Sequence, residues 1–364
     1  MKDISFFICS LASGGAEHQL TLLADMLAQK GYKVRIITFS SIPDHYNFNE
    51  RIERVRICHK NSIINFLCVF FYLLKLRTGC FISFGQRENF ISLLPFLFKR
   101  TKFIAGERNN TVGPSSRIEK ILVNCLYRRA NYVVCNSRSQ GVHLSKYKKY
   151  LAKKIRVIHN YTDLNLYKAQ KYPQKYPQNQ VIQIGIFCRL EPQKNIKRFA
   201  EAIKKLKDTT NQPFFINWYG NKHFISSDLK AYYDSFIKQI KRDGLEETIL
   251  IHDPVKNVHE LLPKFDAIAL PSLHEGFSNS ISEAICCGKP MLVSNVSDNP
   301  VMVKDGYNGF LFDPTNTDEI VSAFVKFLQL SSEQRMVFGH NSRIVAENLF
   351  NKEKFISDYM DLIS

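Results

Sequence analysis

The sequence lacks several patterns that mark common classes of protein. Its nine cysteines include no CxxC pair and form no small secreted framework, which is typical of reduced cytosolic thiols. No GxGxxG fingerprint is present, which argues against a Rossmann oxidoreductase with a dinucleotide cofactor. No Asp-x-Asp pair or histidine cluster has the spacing of metal ligands, so we expect no metal and no other cofactor.

The sequence also has little that resembles a membrane span or an export signal. Its most prominent apolar stretch, residues 63–74, is shorter than the roughly 20 residues that a helix needs to cross a bilayer. The apolar run at the N-terminus is short and gives way to a glycine-rich loop, unlike a secretion signal. These features predict a cytoplasmic protein.

Positive charge is concentrated in the first half of the chain. The net charge is +17, and residues 1–165 contain 26 Lys and Arg against 10 Asp and Glu, whereas the remainder contains 24 against 23. A nucleic-acid surface is one explanation, but no RNP, helix-turn-helix or zinc motif accompanies it, so no nucleic-acid partner is expected. Attraction to an anionic membrane surface or to a phosphate-bearing acceptor fits the distribution better.

The length and the pattern of apolar segments indicate two domains. A chain of 364 residues is long enough for two sizeable cores, and short apolar segments alternate with helical patterns, as in α/β folds. A polar, proline-bearing duplication at residues 171–178 has the composition of a linker. We predict an N-terminal domain at residues 1–165, a linker at 166–180, a C-terminal domain at 181–345 and a last helix at 346–364.

The most informative stretch lies in the second half of the chain. It reads HEGFSNSISEA from His274 to Ala284, and CGKP follows at Cys287–Pro290, where Gly288 and Pro290 are helix stop signals. The apolar run before it, residues 266–270, has the pattern of a buried parallel strand, and Pro271 ends that run. Strand, loop and helix are therefore expected in that order.

Two glutamates of this stretch are placed by that prediction. Ser278 and Asn279 are helix-capping residue types, so Glu275 is expected on a loop at the carboxyl edge of a sheet. Glu283 is expected one to two turns into the next helix, on the same face as Asn279. Open α/β sheets bind ligands at this edge, and a helix N-terminus favours an anion such as a phosphate. Because two carboxylates accept hydrogen bonds from several hydroxyls, a phosphorylated polyol suits the site.

Two further segments have residues suited to phosphate. Gly14 and Gly15 lie between a strand candidate and a helical pattern, where backbone can approach a phosphate closely, although a glycine pair is also typical of a tight turn. Arg189 and Lys194 follow a strand candidate at residues 181–187. Fixed cations at a strand end would stabilise a departing diphosphate, and the alternative is a pair of surface cations.

The Glu-x7-Glu spacing inside EGFSNSISEA…CGKP resembles the signature of family 4 glycosyltransferases. The glycine pair, the Arg-Leu…Lys segment at 189–194, the Asn-x-x-Asp turn at 160–163 and the turn at 305–311 also resemble that family. The resemblance covers roughly the whole chain and implies the GT-B fold of the α/β class. In that fold two Rossmann-like, doubly wound parallel-sheet domains face each other across a cleft, and a C-terminal helix crosses back to the first domain.

The resemblance also implies a role for each motif residue. Glu275, Arg189 and Lys194 would be catalytic: Glu275 would hold hydroxyls of the transferred sugar, and the two cations would stabilise charge as the sugar–phosphate bond breaks. Glu283 would bind the ribose hydroxyls of the donor. The other donor-binding residues would be Gly14, Gly15, Phe277, Ser278 and Asn279.

One segment departs from the pattern of many family members. Residues 106–110, GERNN, resemble a Glu-Arg-Asn segment that part of the family carries, but other members have a histidine in this region that positions the reacting sugar. No histidine is present here. Arg108 and Asn109 are candidate contacts to acceptor or donor, and a salt-bridged loop is the alternative.

Residues 63–74 leave two explanations open. The segment is flanked by basic residues and forms either a buried helix or a helix that lies in a membrane interface with its cations on lipid headgroups. Residues 90–98, followed by Lys99, Arg100 and Lys102, repeat the pattern. We therefore expect an anionic membrane surface as a partner and peripheral attachment at the inner face of the cell membrane.

The resemblance therefore implies a retaining glycosyltransferase, and the lack of metal-ligand spacing predicts that it needs no metal. It would move a hexose or an N-acetylhexosamine from a nucleotide-sugar, with UDP as the expected nucleotide, to a glycan or lipid-linked acceptor. The alternative is a non-catalytic GT-B relative that binds sugar nucleotides or glycans, and the complete set of motif cations and carboxylates argues against it.

Overall fold

The computed structural model of the chain describes residues 3–12, 14–46, 48–97, 99–108, 127–147, 149–169, 181–220 and 226–364. The chain divides into two compact units. The first unit comprises residues 1–161 and 352–364, and the second comprises residues 162–351.

The first unit is built on a sheet of seven parallel strands. They are β1 (Asp3–Phe7), β2 (Lys33–Thr38), β3 (Glu53–Arg56), β4 (Cys80–Phe84), β5 (Lys102–Glu107), β6 (Tyr132–Cys135) and β7 (Ile155–Val157). The order across the sheet is β3-β2-β1-β4-β5-β6-β7, so the chain starts in the middle and changes direction between β1 and β4. Short runs of Ile, Val and Phe form these strands because both faces of a parallel sheet are covered.

Helices connect the strands of the first unit. They are α1 (Gly15–Gln29), α2 (Ser62–Lys75), α3 (Gln86–Phe96) and α4 (Arg138–Tyr147). Leu20, Leu23 and Leu27 are fully buried along one face of α1. The chain leaves α1 through Gly31, whose φ of +88° is in the region that glycine adopts readily. A core of aromatic residues, including Phe7, packs between sheet and helices.

The second unit is built on a sheet of six parallel strands. They are β8 (Ile182–Phe187), β9 (Phe214–Tyr219), β10 (Ile249–His252), β11 (Ala267–Leu270), β12 (Met291–Ser294) and β13 (Gly309–Phe312). The order is β10-β9-β8-β11-β12-β13, and the direction of winding reverses between β8 and β11. That reversal makes a crevice at the carboxyl ends of β8 and β11.

The helices of the second unit cover its sheet. They are α5 (Ile196–Thr209), α6 (Ser227–Arg242), α7 (Val258–Leu261), α8 (Asn279–Cys286), α9 (Asn299–Met302), α10 (Thr317–Leu328) and α11 (Ser332–Leu349). Alternate residues of β8 and one face of α5 form a continuous core with Trp218. A final helix, α12 (Lys352–Ile363), belongs to the first unit.

Packing contacts attach α12 to the first unit. The ring of Phe355 stacks on Tyr161 at 5.6 Å between centroids. The hydroxyl of Tyr359 accepts a hydrogen bond of 2.6 Å from Nη2 of Arg108, and Nη1 of Arg108 donates to Asn160 at 3.3 Å. The guanidinium also lies 4.0 Å from the ring centroid of Phe84. Arg108 is 8% exposed and joins strand, turn and last helix.

The predicted α/β architecture with two doubly wound parallel sheets is confirmed. The two units meet in sequence between Tyr161 and Thr162, and α11 continues to Leu349 before the last helix begins at Lys352. Of the predicted linker, residues 170–180 lie outside the described residues.

Two further expectations concern membranes and thiols. Within the described ranges, no helix combines the length and the apolarity that crossing a bilayer requires. The eight cysteines that fall in these ranges are free thiols.

Candidate active site

Glu275 lies on the loop after β11, at the crevice where the second sheet reverses its winding. Its backbone N–H donates to Oγ of Ser297 at 3.1 Å. Ser297 follows β12 and has a φ of +52°, a conformation that few non-glycine residues adopt. The loop after β12 therefore fixes the backbone of Glu275. The residue as a whole is buried, with 8% of its surface exposed.

Lys194 approaches from the loop after β8. Pro192–Lys194 form one 3-10 turn, and Asn195 leaves that turn with a φ of +58°. Gln193 joins this turn to the Glu275 loop, because its carbonyl accepts from the N–H of Leu273 and its Nε2 donates to the carbonyl of His274, both at 2.9 Å. The ends of two neighbouring strands are thus connected by backbone and side-chain hydrogen bonds.

An ion pair lies at this junction. Nζ of Lys194 is 2.5 Å from Oε1 of Glu275, and the two side chains are 11% and 10% exposed. Withdrawing both charges from water is costly, and the attraction compensates only where the geometry is close. This pair occupies the crevice where open α/β sheets bind ligands.

Arg189 is not part of that pair. Its Nη1 lies 3.1 Å from Oε1 of Glu191, and its side chain is 62% exposed. The structure therefore brings Lys194 and Glu275 together but pairs Arg189 with a neighbour on its own loop. The catalytic role of Arg189 stays a prediction.

The helix that carries Glu283 begins as the capping residues predict. Ser278 is the N-cap of α8, and its hydroxyl accepts from the N–H of Ile281. Ser280 donates to the carbonyl of Phe187 at 2.6 Å, which fixes the first turn of α8 to the end of β8. Phe277, which precedes the cap, is 3% exposed and packs edge-on against Phe350.

The same helix ends where the glycine predicts. Gly288 has a φ of +69°, and its N–H donates to the carbonyl of Ile285 at 3.0 Å. Lys289 beyond it is 6% exposed and donates to the carbonyls of Pro263 and Phe265 at 2.8 and 2.9 Å. Burial lowers the pKa of Lys289 to about 8. The CGKP segment therefore ends the helix, and its lysine fixes the backbone just before β11.

Glu283 lies in the second turn of α8 and is partly buried. Burial raises the pKa of Glu283 to about 7, and a hydrogen bond from the hydroxyl of Tyr167 opposes that rise. Tyr167 is 7% exposed. With this pKa, Glu283 changes its protonation near neutral pH. A neutral carboxylic acid and a carboxylate accept hydrogen bonds differently, so the hydrogen bonds that Glu283 can form also change there.

Arg343 of α11 positions Tyr167 beside α8. Its Nη1 donates to the carbonyl of Tyr167 at 3.0 Å and to that of Cys286, the last residue of α8, at 2.7 Å. The N–H of Tyr167 in turn donates to the carbonyl of Asp163 at 3.0 Å. One guanidinium thus fixes the segment that supplies the tyrosine and the helix that supplies the carboxylate.

Three flat side chains form a row along the carboxyl edge of the same sheet. Phe187, Tyr219 and His252 are the last residues of β8, β9 and β10 and occupy matching positions in the register. The first two rings stack at 5.1 Å and the second and third at 4.5 Å. The loop at residues 253–257, which connects β10 to α7, begins directly after His252.

The predicted glycine loop lies at the corresponding edge of the first unit. Gly14 is the N-cap of α1 and Gly15 its first residue, and the hydroxyl of Tyr46 donates to the carbonyl of Gly14 at 3.1 Å. The carboxylate of Glu88, after β4, accepts from the N–H of Cys9, after β1, at 2.9 Å. Burial raises the pKa of Glu88 to about 6. The loop therefore lies beside the reversal between β1 and β4, where open α/β sheets bind ligands. The role of Gly14 and Gly15 in binding the donor stays a prediction.

Arg108 and Asn109 were candidate substrate contacts. The guanidinium of Arg108 is engaged within the first unit by Asn160, Tyr359 and Phe84, as described above. Asn109 lies outside the described residues. A role in binding substrate stays a prediction for both.

Metal ligands were not expected. Among the residues that the structure describes, no group of three His, Cys, Asp or Glu side chains is arranged to hold a metal ion. Metal independence of the reaction stays a prediction.

The sequence did not identify four residues that support this site. Gln193, Ser297, Tyr167 and Arg343 hold the loops and the helix that carry Lys194, Glu275 and Glu283. Gln193 stands inside a recognised segment, but Tyr167 lies in the stretch assigned to a linker. Ser297 and Arg343 act through contacts between residues distant in sequence, which no local pattern shows.

Comparisons with known families match both units. The family described as Glycosyltransferase Family 4 matches residues 13–166, and the family described as Glycosyl transferases group 1 matches residues 168–345. The two matches together extend over nearly the whole chain.

Characterised relatives are bacterial sugar transferases. The chain is 25% identical over 381 residues, covering 98% of each chain, to an N-acetylgalactosamine-N,N'-diacetylbacillosaminyl-diphospho-undecaprenol 4-alpha-N-acetylgalactosaminyltransferase of Campylobacter jejuni. It is 30% identical to a UDP-Gal:alpha-D-GlcNAc-diphosphoundecaprenol alpha-1,3-galactosyltransferase of Escherichia coli over 174 residues, which are 48% of this chain and 43% of the relative.

A solved structure confirms the fold class. Anabaena Alr3699/HepE in complex with UDP and glucose superimposes with a TM-score of 0.81 over 99% of both chains, at 19% identity. With two Rossmann-like units of the GT-B type, and with family matches to both of them, the chain belongs to glycosyltransferase family 4.

Proposed function

We propose that this protein is a retaining glycosyltransferase that moves a hexose or an N-acetylhexosamine from a UDP-sugar to a hydroxyl of a lipid-linked glycan. The observation that carries the proposal is the shielded Lys194–Glu275 pair at the crevice of the second sheet. The pair combines a cation for a phosphate with a carboxylate for sugar hydroxyls.

The relatives support the choice of substrates. Two of them are named for acceptors that carry diphospho-undecaprenol, and one of these is named for UDP-galactose as donor. The Anabaena structure contains UDP and glucose. A UDP-sugar and a lipid-linked glycan are therefore the substrates that we assign to this chain.

Each residue of the site has its own role in binding the donor. Glu283 accepts hydrogen bonds from the ribose hydroxyls, Glu275 holds hydroxyls of the transferred sugar, and the N-terminus of α8, from Ser278, faces the phosphates. When the donor binds, the ammonium of Lys194 shifts part of its interaction from Glu275 to the diphosphate. That interaction strengthens as the bond to the leaving group breaks, which lowers the barrier.

The chemical step is a displacement on one face of the sugar. The bond between the anomeric carbon and the UDP oxygen breaks, and the acceptor oxygen bonds to the same carbon from the same side. The acceptor proton passes to the departing phosphate oxygen. No divalent ion takes part, because the cations Lys194 and Arg189 compensate the charge of the diphosphate.

Two measurements test the proposal. In a thermal-shift screen of UDP-, GDP- and ADP-sugars, a UDP-sugar should raise the melting temperature most, because a ligand that binds the folded state stabilises it. NMR of the transfer product should show the anomeric configuration of the donor. An inverted product, or activity that EDTA abolishes and magnesium restores, would contradict the mechanism.

A further inference from the structure

Helix α2 presents an apolar face to the surroundings of the first unit. Of its 14 residues only Val69 and Leu73 are buried. The exposed apolar side chains of α2 are Ile63 (71%), Ile64 (43%), Phe66 (42%), Leu67 (44%), Phe71 (53%) and Leu74 (47%). At 100° per residue, Ile64, Leu67, Phe71 and Leu74 share the side opposite the two buried residues. A helix with apolar residues all around has a hydrophobic environment on its outer side too.

The neighbouring helix extends that face. Helix α3 packs against α2 and exposes Phe90 at 40% and Leu94 at 55%. We refer to the exposed apolar residues of α2 and α3 as the α2–α3 surface. Contiguous apolar patches of this kind mark interaction sites, whereas single exposed residues do not.

Exposed cations flank the two helices of the α2–α3 surface along the chain. Between residues 51 and 106 the chain has ten Lys and Arg but only two acidic residues. Lys60, Lys75, Arg77 and Arg100 are exposed, and none of them forms a salt bridge with a carboxylate of the described residues. An apolar face with a basic rim is complementary to an interface of lipid chains and anionic headgroups.

The length of α2 determines how it meets a bilayer. Fourteen residues extend about 21 Å, which is less than the roughly 30 Å of a hydrocarbon core. The helix is also held at both ends: Asn61 caps its first turn, and Nζ of Lys99 donates to the carbonyls of Leu73 and Leu76 at 2.6 and 2.7 Å. Helix α2 is therefore held in place at both ends and is too short to cross a membrane.

We propose that the α2–α3 surface docks the first unit on an anionic lipid bilayer, with α2 parallel to the membrane plane and Ile64, Leu67 and Phe71 among the acyl chains. The exposed cations bind the headgroups at the rim. This inference builds on the proposed function, since an enzyme for a lipid-linked acceptor works where that lipid resides.

The test is co-sedimentation of the full chain with vesicles that contain neither donor nor acceptor. One set is phosphatidylcholine alone, and the other contains one third phosphatidylglycerol. The wild type should bind the anionic vesicles more tightly, and less so in high salt. The double variant Leu67→Gln, Phe71→Gln should bind at least about tenfold more weakly. Both side chains are exposed, so the variant should keep the melting temperature of the wild type.

Matched variants in the second unit serve as controls. Leu166 and Val337 are exposed at 47% and 56%, and changing both to Gln should leave vesicle binding unchanged. For charge, Lys75→Gln with Arg77→Gln should weaken binding to anionic vesicles about tenfold or more, and that loss should shrink in high salt. The same change at Lys238 and Lys241, exposed on α6, should have no effect.

Each other outcome overturns the proposal. Equal binding of wild type and the Leu67–Phe71 variant shows that the surface does not touch lipid. A concentration-dependent dimer that this variant abolishes shows that a second copy of the chain covers the surface instead. Because vesicle binding requires no sugar transfer, failure of this test is distinct from failure of the proposed function, which the donor screen and the product analysis decide.

Discussion

Helices α2 and α5 have the same length of 14 residues but opposite surfaces. Helix α5, in the second unit, buries six apolar residues and exposes lysines and acids along the other side. Helix α2, in the first unit, buries two residues and exposes a row of Ile, Leu and Phe. Packing inside the second unit covers the apolar residues of α5. Packing inside the first unit covers only a narrow side of α2. The outer side of α2 is exposed, and the proposed contact with a lipid bilayer would cover it.

The distribution of charge follows the same division. The surplus of cations lies almost entirely in residues 1–165, whereas the remainder is nearly balanced. In the second unit, charged groups are paired inside a crevice, as Lys194 is with Glu275. In the first unit, exposed cations such as Lys75 and Arg77 lie at the end of a helix whose outer face is apolar. This division agrees with the two proposals, which assign donor chemistry to the second unit and a lipid contact to the first.

The largest expected effect tests the chemistry of the second unit alone. Lys194→Ala should lower turnover at least about a hundredfold, because a single preorganised donor to a developing charge contributes about 3–4 kcal/mol. Its binding to anionic vesicles should equal that of the wild type. Steady-state kinetics with saturating donor and the vesicle assay measure the two properties separately.

A neighbouring lysine provides the control. Lys205→Ala removes an exposed ammonium from α5 that pairs with Asp318 and should leave turnover unchanged. A folded Lys194→Ala variant with nearly normal turnover would remove the assigned role. Its circular dichroism and melting temperature must be recorded, because the carboxylate of Glu275 loses its partner.

The second effect tests whether Arg108 serves structure or substrate. Tyr359→Phe should lower the free energy of unfolding by about 2 kcal/mol, since the hydrogen bond to a buried guanidinium is lost. The kinetic constants of the folded variant should not change. Thermal denaturation checks the first expectation, with Tyr307→Phe as a control for an exposed tyrosine. An unchanged melting temperature with a raised KM for acceptor would instead indicate a substrate contact.

Local sequence patterns predicted most of the fold because each pattern satisfies a local requirement. The strand candidates at residues 181–187 and 266–270 correspond to β8 and β11, each of which begins one residue later and ends where predicted. Ser278 and Gly288 were predicted to begin and end α8, and each does so through its own hydrogen bond or backbone angle. Strand β12 (Met291–Ser294) was missed because its three apolar residues do not by themselves distinguish a strand from a helix.

The candidate site was less predictable than the fold. The motif gave Lys194, Glu275 and Glu283, but not that the first two form an ion pair. It also did not show that Arg189 pairs with Glu191, and the catalytic role of Arg189 stays a prediction. Tyr167 and Arg343 were missed because their contacts join segments far apart in sequence. Such contacts are fixed by the tertiary fold and leave no local pattern.

The third effect concerns the protonation of Glu283. The pKa of Glu283 is raised to about 7 from an ordinary value of 4.5, so the folded state retains a proton that the unfolded state releases. That contribution to stability is full below pH 4.5 and is lost as pH rises through 7. The ionised carboxylate accepts hydrogen bonds from ribose more strongly, so the affinity for UDP should increase about tenfold between pH 6 and pH 8.

Titration calorimetry at several pH values checks this expectation. UDP itself changes its charge near pH 6–7, so the comparison is with Glu283→Gln, which retains the dependence due to the phosphate but lacks that of the carboxyl group. The difference between the two profiles reports Glu283. Identical profiles would show that Glu283 does not bind the nucleotide.

The smallest effect shows whether Tyr167 acts on the donor site through the pKa of Glu283 or only through the stability of the fold. Tyr167→Phe removes the hydroxyl that opposes the rise in the pKa of Glu283, so the midpoint of the Glu283-dependent binding profile should move to higher pH by about one unit. Affinity for UDP at pH 8.5 should be nearly that of the wild type, since Glu283 is ionised there in both proteins. Tyr307→Phe, at an exposed tyrosine, should leave the profile unchanged. A uniform loss of affinity at every pH would mean that Tyr167 only supports the fold, because a structural defect does not move a midpoint.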